Sequence, residues 1–126
     1  MMKTVLITFS LVSLIAVFCV AGSSRAPEGM VCQQATVVTY HAGPHWDAFA
    51  KHVDGHLAFL QKGMDRGKVL FAGPFVSDKG GLTVYDMTDL TEVDTLVGQD
   101  PLVANKVVTY TLKSWSMCSP AEKVKP

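Results

Sequence analysis

The sequence predicts one α+β domain built as an open sandwich: a four-stranded antiparallel sheet with its helices on one face. Three observations predict it. The hydrophobic periods run strand, helix, strand, strand, helix, strand. The chain has 126 residues, enough for one small domain. Beyond the N-terminal leader two cysteines remain, Cys32 near the start of the first strand and Cys118 near the end of the last. The β-α-β-β-α-β order of a ferredoxin-like sandwich makes those two places antiparallel neighbours.

The elements follow in chain order. Residues 1–22 read as a signal peptide. Lys3 supplies the positive end, Val5 to Ala21 is apolar except for Thr8, Ser10 and Ser13, and the small residues of "AGSSRA" follow. The rival is a retained anchor, since a run of this length is near the lower limit for a membrane-spanning helix. Acylation at Cys19 is discounted because Phe18 is too bulky for that cleavage. Residues 23–34 form a polar lead-in, and the domain proper is placed at 35–118. "ATVVTY" (35–40) is β-branched and ends at the turn "HAGPH". Trp46, Phe49, Val53, Leu57, Leu60 and Met64 then recur at helical spacing, making an apolar stripe expected to be buried, with Gly67 as the stop. "KVLFAGPF" (68–75) is a strand closed by Gly73 and Pro74, and "GLTVYDM" (81–87) is the next. Asp89 stands three residues before Glu92 and caps a short helix carrying Val93, Leu96 and Val97. Asp100-Pro101 ends that helix. "KVVTYTLKSWSMC" is the last strand, and 119–126 is a flexible polar tail.

Composition narrows the function classes. Lys+Arg and Asp+Glu are 11 each, so the basic footprint of a nucleic-acid binder is missing. There is no phosphate loop, dinucleotide fingerprint or nucleophile elbow. An exported chain with an even cysteine pair predicts a Cys32–Cys118 disulfide, contributing about 2–5 kcal/mol, and after loss of the leader no membrane contact is expected. The last strand is apolar on both faces, with Val107, Thr109, Thr111 and Trp115 on one side and Val108, Tyr110 and Leu112 on the other. A sheet covered on one face only would alternate more cleanly. The bare face is therefore expected to be covered by a second copy of the chain.

"GHLAFLQKGMDRGKVLFAGPF", then "GLTVYDMTDLTEVDTLVGQDPLVANKV", then the closing strand together resemble the YciI-like (YCII-related) family of small α+β domains. The resemblance spans Ala35 to Trp115 and rests on the His56-Leu57 pair, the strand ending Ala72-Gly73-Pro74, and Asp100-Pro101. It implies a ferredoxin-like dimer, a dimeric α/β barrel-like assembly, with a His/Asp site that falls here on His56 and Asp100. It implies lyase or isomerase chemistry on a small-molecule ligand without a cofactor. The leader and the cysteine pair depart from the usual family pattern of a bare intracellular domain.

The histidines are weighed against that. With Val53 at the centre of the apolar stripe, His56 lies about 60° away, and His52 and His45 about 100° and 80° away on the same flank. His56 can reach a pocket while its second nitrogen is held, which is what a general base requires. The plainer reading is a boundary histidine bonded to a backbone carbonyl. Asp100 before a proline also reads as a helix N-cap. Gly73 and Pro74 read as a strand end and as a pocket wall where backbone can approach a ligand. Two alternatives belong to other classes: a non-catalytic ligand-binding module, and a metal site on His52 and His56, four residues apart, completed by His41 or Asp100.

Overall fold

The computed structural model describes residues 26–121. The signal-peptide reading of residues 1–22 and the last five residues of the tail lie outside the described residues. The elements are β1 (Met30–Ala42), a 3-10 turn (Trp46–Ala48), α1 (Phe49–Asp65), β2 (Val69–Pro74), β3 (Gly81–Tyr85), α2 (Leu90–Val97), α3 (Pro101–Ala104) and β4 (Val108–Pro120). The strands form one antiparallel sheet in the order β2-β3-β1-β4, with the helices on one side. This is the ferredoxin-like α+β sandwich that the periodicities predict.

Local chemistry sets the element ends. Gly67, at φ +70°, takes the left-handed conformation that stops α1. The Asp89 side chain accepts hydrogen bonds from the Thr91 and Glu92 amides and so caps α2. The core lies between the sheet and α2–α3, where Val38, Tyr40, Tyr85, Val93, Val97 and Leu102 are buried together. Cross-strand register puts Thr36, Val38 and Tyr40 of β1, Thr83 and Tyr85 of β3, and Tyr110 and Leu112 of β4 on this helix side. Val37, Leu82, Val84, Phe71 and Trp115 fall on the outer face. Phe71 there is 62% exposed.

Two expectations need adjusting. β1 begins at Met30, inside the stretch read as lead-in, and β4 runs two residues into the stretch read as tail. Polar Gln33 and Gln34 hid the extension, but they pair with Met117 and Ser116 in an antiparallel ribbon that needs no apolar face. Cys32 and Cys118 are directly opposite in that ribbon and are joined by a disulfide. The second adjustment concerns the stripe on α1. Leu60 is the one residue of α1 that is buried, whereas Leu57 and Met64 are 56% and 40% exposed. The helix does not lie flat on the sheet along its whole apolar side. Part of that side borders an open cleft.

Candidate functional site

The cleft lies between α1 and the β2–β3 hairpin and has a volume of about 710 Å³. The 3-10 turn and α1 supply one wall, with Trp46, Phe49, Val53, Leu57, Leu60 and Met64. The facing wall is the hairpin, largely backbone at Ala72, Gly73, Pro74, Gly80 and Gly81, with Val76 to Lys79 at the rim. Trp46 and Phe49 stack with centroids 4.8 Å apart, and the Lys79 ammonium stands 5.8 Å from the Trp46 ring centroid. The apolar stripe read as packing is thus largely a ligand-sized wall.

His56 lines this cleft. Its Nδ1 is 2.7 Å from Asp100 Oδ2, and the carboxylate is fully buried while the imidazole side chain is 16% exposed. The other oxygen of Asp100, Oδ1, accepts from the Leu102 amide at 3.0 Å and caps α3, with Pro101 in the first turn. Asp100 therefore meets His56 with one oxygen and caps α3 with the other. A carboxylate can only accept here, so Nδ1 carries a proton and donates it to Asp100. In the neutral ring this leaves the lone pair on Nε2, which forms no hydrogen bond to another described residue. The plainer reading of His56, a bond to a backbone carbonyl, does not describe it. That reading fits His45 instead, whose Nδ1 lies 3.2 Å from the Asn105 carbonyl.

Sequence reasoning missed the tyrosines around this pair. Tyr40 presents its ring edge-on to His56, centroids 6.0 Å apart and planes at 82°. Among the described residues, the buried hydroxyls of Tyr40 and Tyr85 find no hydrogen-bond partner. Burial pushes the Tyr85 phenol up to about 12 and that of Tyr40 further, and the Asp100 charge adds to both. Both phenols stay neutral through any ordinary working pH. The only sequence signal for them was their inward phase on β1 and β3, which any core aromatic shares.

Gly73 and Pro74 line the hairpin wall of the cleft. The metal alternative fares differently. Among the described residues no three His, Cys, Asp or Glu side chains come together to hold an ion. Nδ1 of His56 is already bonded to Asp100, and His41 lies on the outer face of the sheet, opposite Thr109. No helix among the described residues is long and apolar enough to cross a membrane.

Comparison with known proteins follows from this geometry. The profile of the YCII-related domain matches residues 33–116. The uncharacterised protein YjpA of Bacillus subtilis (strain 168) is 33% identical over 67 residues, 53% of this chain and 79% of that protein. Among solved structures, the 5-chloro-2-hydroxyhydroquinone dehydrochlorinase (TftG) of Burkholderia phenoliruptrix AC1100, in complex with 2,5-dihydroxybenzoquinone, aligns with a TM-score of 0.56. It is 16% identical, and the alignment covers 64% of this chain and 92% of that one. At that identity the likeness is one of fold.

Proposed function

The chain belongs to the YCII-related domain family, and from that membership we propose a cofactor-free lyase or isomerase of small molecules in which His56 is the general base. The observation that carries the reading is the Nδ1–Asp100 bond at 2.7 Å in a histidine that lines the cleft. Nε2 would take a proton from a substrate carbon beside a carbonyl, or from a ring hydroxyl. After removal from carbon the pair left behind moves onto the carbonyl oxygen as an enolate; after removal from a hydroxyl the oxygen pair closes a new C=O and a ring π pair moves to carbon. Reprotonation at another carbon completes an isomerisation, and departure of a β-substituent with its bonding pair completes an elimination. Asp100 holds the ring in the productive tautomer and stabilises the imidazolium that forms. The fold neighbour is named as a dehydrochlorinase and is complexed with a small quinone, which is the same class of chemistry on a molecule that a cleft of this size would admit.

The test is turnover of a panel of small hydroxylated and halogenated ring compounds. For any compound converted, His56→Ala is expected to lower kcat by about 10²–10⁴-fold and to leave binding within a few-fold. Unchanged turnover would reject the base. Compounds that bind the wild-type cleft but are never converted would favour the non-catalytic binding module.

Two further parts of the reading concern the whole molecule. The outer sheet face, with Val37, Leu82, Phe71 and Trp115, is apolar enough to be covered, and a second copy of the chain is the occupant we propose. Light scattering at micromolar concentration should return twice the chain mass; a monomer there would sink the dimer. Export is supported by the disulfide, which persists in oxidising compartments, and by the leader composition. The intact mass of protein from its native source, expected to lack the leader, tests it.

A further inference from the structure

Gly55 precedes His56 in the middle of α1, and Pro101 follows Asp100 at the start of α3. The two neighbours of the His–Asp pair are themselves in contact. A Cβ built on Gly55 would stand 3.0 Å from Pro101 Cγ and 3.4 Å from Pro101 Cβ. Glycine is the poorest helix former after proline, so an interior glycine is a local disadvantage that needs a structural reason. Gly55 is not in a left-handed conformation that would demand glycine. The reason available is the close approach of α1 to α3.

We propose that Gly55 is a positioning residue, a spacer whose missing side chain lets α3 approach α1 closely enough for His56 to reach Asp100. This rests on the reading of His56 as the base, but it concerns distance rather than chemistry. The argument is one of rigid-body geometry. Asp100 cannot follow His56 independently, because its Oδ1 is tied to the Leu102 amide and its side chain is fully buried. His56 is likewise fixed to the helix it stands on. Any separation of α1 from α3 therefore appears in the 2.7 Å Nδ1–Oδ2 bond. A methyl group at position 55 requires a few tenths of an ångström of such movement, and a charge-assisted bond this short weakens over that range.

The experiment compares Gly55→Ala, Pro101→Ala and the double variant with wild type, using ¹⁵N-edited NMR of the intact chain and, where a substrate is known, steady-state kinetics. In wild type the His56 Nδ1 proton should appear at low field and exchange slowly. In Gly55→Ala it should move upfield or exchange out, with kcat reduced about tenfold and KM little changed, since sub-ångström misplacement of a catalytic group acts on the chemical step. Pro101→Ala removes the ring carbon nearest the new methyl, so the double variant should regain the low-field signal and most of the rate. A Gly55→Ala protein with a wild-type Nδ1 signal overturns the proposal, as does a folded double variant that remains without it. Should Gly55→Ala fold poorly, the double variant alone decides. The NMR readout needs no turnover. If His56→Ala left turnover unchanged while the Nδ1 signal responded as stated, the base would fail and the spacer would stand.

Discussion

Asp100→Asn is expected to lower turnover by about 10²–10⁴-fold, the contribution of a positioned base, while leaving the fold close to wild-type stability. The two oxygens of Asp100 do different work, and asparagine separates them. Its carbonyl oxygen can still accept from the Leu102 amide, so the cap on α3 is retained. Its amide nitrogen then occupies the place of Oδ2, 2.7 Å from the imidazole. An NH₂ group there donates to Nδ1 instead of accepting from it, which moves the imidazole proton to Nε2. Nε2, the nitrogen not bonded to Asp100, loses its lone pair and cannot act as a base. Asp100→Ala is the companion variant. It removes both bonds and should also lose about 1 kcal/mol of cap stability. Melting curves, ¹⁵N chemical shifts of the imidazole and single-turnover rates read the three consequences separately. Wild-type turnover in the asparagine variant, with Nε2 shown to be protonated, would refute His56 as the base.

The fold was legible because period and punctuation agree at most elements. The strand-helix order, Gly67, the Asp89 cap and Asp100-Pro101 each report a local backbone requirement, and local requirements survive in a single sequence. The cleft was not legible, for a physical reason. The helical spacing of Val53, Leu57, Leu60 and Met64 says that one side of α1 is apolar, not what faces it. A helix packed on a sheet and a helix lining a ligand cleft carry the same pattern. Only the stand-off of the β2–β3 hairpin, a tertiary property, distinguishes them. The buried tyrosines were hidden in the same way, since an inward-phased Tyr40 reads as core until its neighbours are known. His56 and Asp100 were found through the border position of one and the family resemblance of both. Spacing alone could not show that residues 44 positions apart share a 2.7 Å bond.

Loss of the Cys32–Cys118 bridge is expected to lower the melting temperature by at least about 10 °C. The bridge closes a sequence separation of 86 residues, and constraining a loop of that size in the unfolded chain is worth about 4–5 kcal/mol by chain entropy, within a measured range of about 2–5 kcal/mol for native bridges. For a domain of this size each kcal/mol corresponds to about 4–8 °C. The location gives the prediction a second, local part. β3 pairs with β1 only from Thr36 onward, whereas β4 pairs with it from Met30. Residues 30–35 and 115–120 therefore form a two-stranded arm beyond the third strand, with Met30, Val31 and Trp115 nearly half exposed. Two strands without further cover are marginal in water, and the bridge at Cys32–Cys118 is the covalent tie across that arm. In the Cys32→Ser, Cys118→Ser double variant, amide exchange should accelerate in 30–34 and 116–120, while Val38, Val84 and Tyr85 keep their protection at temperatures well below the new midpoint. The His56–Asp100 pair lies at the other side of the molecule from the arm in register, against Tyr40 rather than Cys32, so the rate at 25 °C should be preserved. Calorimetry with and without reductant, and hydrogen exchange read by mass spectrometry, check the two parts. A melting temperature unmoved by reduction, with reduction verified by thiol labelling, would show that the arm and its bridge are dispensable to the domain.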